Sequence, residues 1–130
     1  MPMIAADQSS SAGNAPDIAN GLYTISVEMQ EGKRGRATGV VVLCDGRIMG
    51  GDSHFYYTGA YTCKNGKWRG ETINHQHAEA PGINLAFGGR DVPCGFTGTY
   101  SHSEAEIDAT ALVGKTSVMF RAWLTLRQPI

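Results

Sequence analysis

The run GVVVLCDGRIMGGD, residues 39–52, limits what this chain can become more than any other stretch. An apolar segment, the dipeptide Asp45-Gly46 and a second apolar segment describe a β-hairpin. A two-residue loop must twist with its strands, which requires positive φ at both central positions, and Asp-Gly adopts that conformation at low cost. Asn65-Gly66 repeats the signal. From Gly21 to Arg127 the chain then reads as short alternating strands joined by tight turns. Tyr23, Ile25, Val27 and Met29 share one strand face, Phe55, Tyr57, Gly59, Tyr61 and Cys63 another, and Val118, Phe120, Ala122, Leu124 and Leu126 a third. Period two over such lengths is the mark of a half-buried strand.

Between these strands, EGKRGR at 31–36 reads as a charged turn. A strand is expected from Lys67 to about His77, a short apolar piece over 83–87 ending at Gly88-Gly89 and Pro93, and a further strand near 96–101. SEAEIDATALVG, from Ser103, carries two signals. Ser103 and Glu106 have capping-box spacing and the alanines suit a helix, yet Ala105, Ile107, Ala109 and Ala111 alternate strictly with Glu104, Glu106, Asp108 and Thr110. We read it as a strand. TGAY at 58–61 recurs as TGTY at 97–100, and a glycine at the same place in two strands signals a bend such as a curved sheet needs. Many short strands without a long crossover favour an antiparallel up-and-down meander closing into an eight-stranded β-barrel, since closure removes exposed edges. A β-sandwich is the alternative.

The chain has 130 residues, enough for one domain with a real core. Residues 1–19, rich in Ser, Ala, Asn, Asp and Pro, are expected to be a disordered leader, and 20–130 the barrel domain. The leader lacks a basic start and an apolar core, and no stretch approaches the ~20 apolar residues of a spanning helix, so a cytoplasmic protein is expected. A net charge of −1 supplies no field for nucleic acid or membrane surfaces. Cys44, Cys63 and Cys94 form no CxxC and no closed disulfide set; they read as reduced, small hydrophobes.

Candidate chemistry is sparse. His75 and His77 share a strand face, but no third ligand is nearby except Glu71, so neither metal nor cofactor is expected. His54 and His102 lie in turn-like stretches without a partner that sequence can name. No nucleophile elbow occurs, GGD at 50–52 lacks the ending of a phosphate loop, and Asp45, Asp52, Glu71 and Asp91 sit beside turn residues, where Asp usually bonds its own backbone. An enzyme is therefore not expected. Glu104, Glu106 and Asp108 concentrate negative charge on one strand face, either as a solvated face or as a patch that docks on a basic partner. Lys33, Arg34 and Arg36 read as a charged hairpin loop. Tyr23, Ile25, Phe55, Tyr57, Tyr61, Phe96, Tyr100 and Phe120 are expected inside the barrel, as a packed core or, if the lumen is unfilled, as the lining of a site for one small ligand.

NGLYTI at 20–25, GVVVLCDGRIMGGD at 39–52 and YYTGAY at 56–61, with the His75-x-His77 pair, resemble the opening of the GrlR family, small negative regulators of type III secretion in bacteria. The likeness covers about residues 20–77. It implies a lipocalin-like β-barrel, dimeric, that regulates by binding a transcriptional activator rather than DNA. The family's activator-binding feature is an acidic run shortly after the Y-x-G strand; here that place reads KNGKWRGE, residues 64–71, and the acidic row is at Glu104, Glu106 and Asp108. The expectation is a regulator that binds protein; the alternatives the residues leave open are a carrier or sensor of a small apolar ligand such as a lipid, and a metal-assisted activity through His75 and His77. Trp123 and Met119, outward on the last strand, are expected to be covered in a homodimer.

Overall fold

A computed structural model describes residues 17–29, 36–78 and 91–130. They form eight strands: β1 (Gly21–Met29), β2 (Arg36–Cys44), β3 (Arg47–Gly51), β4 (Phe55–Lys64), β5 (Lys67–Gln76), β6 (Val92–Tyr100), β7 (Glu104–Val113) and β8 (Thr116–Pro129). Each pairs antiparallel with the next, and β8 returns to β1, so the sheet is a closed barrel in up-and-down order. Both foreseen hairpin turns form with positive φ at each central residue, 49° and 85° at Asp45-Gly46 and 55° and 82° at Asn65-Gly66. Gly114 (φ 64°) opens the β7–β8 turn.

The segment from Ser103 is strand β7, not helix. Its alternation decides the matter: Ala105, Ala109 and Ala111 are buried while Glu104, Glu106 and Asp108 stand in solvent. Gly59 and Gly98 of the TGxY repeat mark places where a neighbouring strand leaves no room. A Cβ on Gly59 would overlap the Glu71 carbonyl oxygen, and one on Gly98 the Glu106 carbonyl oxygen. Pro93, expected to end a loop, lies inside β6 opposite Ile73. The β6–β7 ladder begins one residue later, at Cys94 opposite Ala111, so the missing N–H disturbs nothing on that edge. The turn at 31–35 with Lys33 and Arg34, and the apolar piece at 83–87, lie outside the described residues.

Inward-facing residues make one core. Tyr23, Leu43 and Val92 are fully enclosed, and Val41, Ile48, Tyr61, Phe96, Phe120 and Leu124 are buried around them. Withdrawing each such side chain from water stabilises the fold by about 1.5–3 kcal/mol. Trp68 sits at the centre of an aromatic group, edge-on to Tyr61 (centroids 5.7 Å apart) and to Phe96 (4.8 Å), with its indole N–H donating to the Glu106 carbonyl at 3.2 Å.

One end of the barrel is crossed by residues 17–20. Ile18, counted with the leader on composition, is 4% exposed and belongs to the core. The Tyr23 hydroxyl donates to the Ala19 carbonyl at 2.6 Å, and Asn20 exchanges two 3.0 Å hydrogen bonds with the β2–β3 turn at Asp45. Residues 1–16 of the expected leader are outside the described residues.

Candidate functional site

The opposite end, where β3 passes to β4 and β7 to β8, holds a knot of polar groups around Asp52. Its Oδ1 accepts from the backbone N–H of His54 (2.9 Å) and of Phe55 (2.8 Å), its Oδ2 accepts from the Tyr57 hydroxyl, and its own N–H donates to the Phe55 carbonyl (2.9 Å). The Asp52 carbonyl also contacts His77 Nε2 at 3.0 Å. The last residue of GGD is thus an anchor for a tight connection, as the turn chemistry of Asp favours. Burial and the Asp52 carboxylate together push the Tyr57 hydroxyl well above the ordinary phenol range, so it stays a donor. Val27, Tyr57, Val113 and Val118 point inward at this end and remain half-buried. His54 Nδ1 and Gln76 Oε1 are buried there with no hydrogen-bond partner among the described residues.

The eight aromatic and aliphatic residues expected inside are all on the inner face. Tyr23, Phe55, Tyr61, Phe96 and Phe120 are buried; Ile25, Tyr57 and Tyr100 are half-buried against the core. Burial pushes the Tyr61 hydroxyl up to about 12 and the Cys94 thiol up to about 11, which leaves both protonated near neutrality. All three cysteines are free, Cys94 buried and Cys44 and Cys63 half-buried.

His75 and His77 do come near one another, through Tyr56 rather than through a ligand. The His75 ring stacks on Tyr56 (4.6 Å, 16°), and Tyr56 and His77 are 6.3 Å apart and tilted. His75 Nδ1 lies 3.2 Å from Asp91 Oδ2. Among the described residues no group of three or more His, Cys, Asp or Glu side chains could hold a metal ion.

On the outer wall, Glu104, Glu106 and Asp108 are all exposed. Asp108 is not free: Arg121, directly opposite on β8, donates to it at 2.8 Å. Two open grooves of roughly 680 and 570 Å3 adjoin here and share Thr97, Asp108 and Thr110 in their lining. Trp123, expected to be exposed, is half-buried between its neighbours Ser26 on β1 and Glu106 on β7, and Met119 alone of that pair stands well out.

Besides Leu112 and Met119 on β7 and β8, exposed large apolar side chains stand on the other wall, at Leu22, Val40, Met49, Tyr56 and Ile73. Leu22, Val42, Met49, Thr58 and Ile73 are successive cross-strand partners from β1 to β5, a single row running around the barrel. Val40 and Tyr56 flank it in the adjacent row. Met49 is 50% exposed and Ile73 44%. Neither this row nor Trp68 in the core was singled out from sequence. The alternation of β5 places Trp68 inside, but the row exists only once register is known. No protein-family model matches the chain, and no curated protein matches it. Among the described residues no helix is long and apolar enough to cross a membrane.

Proposed function

We infer that this chain is a non-enzymatic regulatory protein of the cytoplasm that acts by binding other protein surfaces with the outside of its barrel. Its resemblance to the GrlR family, and so to lipocalin-like negative regulators of type III secretion, makes a transcriptional regulator the partner class. One observation carries the reading: large apolar side chains and the carboxylates of Glu104 and Glu106 stand on the outer wall, while the turn carboxylates Asp45 and Asp52 hold neighbouring segments of the chain. The Asp52 carboxylate accepts three hydrogen bonds, and the Asp45 carboxylate accepts one from the Asn20 side-chain amide. Glu104 and Glu106 carry no ion pair among the described residues and suit a basic partner face.

Affinity capture with the full chain, compared with Glu104→Lys/Glu106→Lys, tests this. A stoichiometric protein partner, bound at least about tenfold more weakly by the reversed variant, is expected. Unchanged capture removes the acidic face from the reading, and no stoichiometric partner at all removes protein binding.

A second reading rests on the inward-facing, half-buried side chains Val27, Tyr57, Val113 and Val118 at the Asp52 end. They suit the acyl chain of a small apolar ligand. Native mass spectrometry of the purified chain supports this if it finds an adduct of lipid mass; a bare polypeptide mass after gentle purification opposes it.

A further inference from the structure

We propose that the lumen at the Asp52 end takes a single-chain amphiphile whose head is uncharged and rich in hydrogen-bond donors, a medium-chain fatty amide being the closest match. The proposal rests on the reading of this end as a site for a small apolar ligand, and it names the head that the ligand carries. The deciding residue is Asn74. It lies on the inner face of β5, between Tyr57 on β4 and Val92 on β6. At 9% exposure it is the one buried polar residue among those described, and its side chain makes no hydrogen bond to any of them. Buried polar groups in native folds are nearly always paired, so an amide held in this way calls for a partner in the space it faces.

The neighbours of Asn74 ask for donors. Gln76, next along the same face, has its Nε2 committed to the Ala78 carbonyl at 2.9 Å, and its Oε1 is buried with no hydrogen-bond partner among the described residues. The Tyr57 hydroxyl gives its proton to Asp52, so it offers only lone pairs to anything else. Asn74 itself brings both an acceptor and donors. Acceptors from three side chains therefore meet donors from one. A carboxylate head would add only acceptors, no Lys or Arg stands on the described inner face, and the Asp52 charge lies beside Tyr57. An ammonium head brings donors, but it must leave water for a carboxylate whose oxygens already accept three hydrogen bonds. A primary amide supplies N–H donors and a carbonyl without charge, and so matches Gln76 Oε1, the Tyr57 oxygen and the Asn74 amide together.

The tail has its own wall. Strands four apart face each other across an eight-stranded barrel, which sets the polar side chains of β4 and β5 against Val118 on β8 and Val27 on β1, with Val113 of β7 beside them. Deeper in, Thr72 and Ile25 lie mid-strand on the inner face and are still only half-buried, and Gly50 and Gly59 bring no side chain into the space beside Tyr57 and Thr72. Beyond that level Tyr61, Trp68 and Phe96 fill the interior. The step from Gln76 to Thr72, at about 3.4 Å per residue along strands tilted by about 40°, gives a depth of about 10 Å, room for a chain of about eight carbons.

Calorimetric titration of the purified full chain near neutral pH with octanamide, octanoate, octylamine and N,N-dimethyloctanamide tests this. Octanamide is expected to bind with Kd on the order of 100 μM. The other three, each lacking either neutrality or N–H donors, are expected to bind at least about fivefold more weakly. Asn74→Leu keeps the volume and removes the amide, and is expected to weaken octanamide at least about fivefold, whereas Asn74→Asp is expected to make octylamine the tightest of the four. Circular dichroism shows that both variants keep the barrel, and the four ligands on the unaltered chain decide the matter if either does not. No binding of any ligand at about 1 mM overturns the lumen as a ligand site and the proposal with it. Octanoate, octylamine or the dimethyl amide binding within about fivefold of octanamide overturns the head assignment alone and leaves the apolar site standing, as does octanamide binding that Asn74→Leu does not weaken.

Discussion

Replacing Asp52 by Ala should damage the fold far more than its place in a surface connection suggests. The carboxylate accepts from two backbone N–H groups and the Tyr57 hydroxyl. A hydrogen bond to a charged group contributes about 1.5–3 kcal/mol, and a buried donor left without a partner costs about 1–3 kcal/mol. The two N–H groups can partly turn to water, so the lower ends apply, and the sum for Asp52→Ala is about 3–4 kcal/mol. Asp52→Asn keeps an acceptor for the backbone and can reverse the bond to Tyr57, which limits its cost to about 1–2 kcal/mol. Tyr57→Phe removes one bond only, about 1–1.5 kcal/mol, and leaves the turn in place. The single and double variants form a cycle whose coupling energy is expected near 1.5 kcal/mol. Urea unfolding monitored by tryptophan fluorescence supplies all four free energies, provided the m-value is constant. An Asp52→Ala cost below about 0.5 kcal/mol, or no coupling to Tyr57, would refute the anchoring role.

Gly98→Ala should destabilise by more than about 2 kcal/mol in the same assay, because its Cβ would overlap the Glu106 carbonyl. Gly95→Ala, three residues earlier and facing open space, should be neutral or stabilise by up to about 1 kcal/mol, so equal effects at the two sites would contradict the bend. Tyr61 has its folded pKa raised from 10.0 to about 12 by burial. The folded state therefore holds that proton more tightly than the unfolded chain, and its contribution is complete below pH 10 and lost as pH climbs towards about 12. Thermal unfolding followed across that window should show Tm falling, and falling less steeply in Tyr61→Phe; parallel curves would exclude Tyr61 as a source.

The barrel was legible in sequence because its determinants are local. Asp45-Gly46 and Asn65-Gly66 fix turns by backbone sterics alone, and alternation along β1, β4 and β8 assigns each residue to a face without reference to other strands. Even the ambiguous β7 yielded to its period. What stayed hidden depends on register. Leu22, Met49 and Ile73 each look like a single apolar residue on a polar face, and only pairing joins them. The same holds for Asp108, whose partner Arg121 lies 13 residues away and directly opposite. Ile18 was missed for another reason: one buried side chain in a polar segment leaves no periodicity to detect.

The seam between β1 and β8 joins the two extremes of the described chain, with Gly21 opposite Pro129 and the Ile130 N–H donating to the Asn20 carbonyl at 3.1 Å. A ribosome releasing this polypeptide therefore leaves one margin of β1 without its strand partner until β8 emerges, with only water on its backbone groups. Stop codons before β8 would leave two unsealed borders, on β1 and β7, rather than a slightly smaller cylinder.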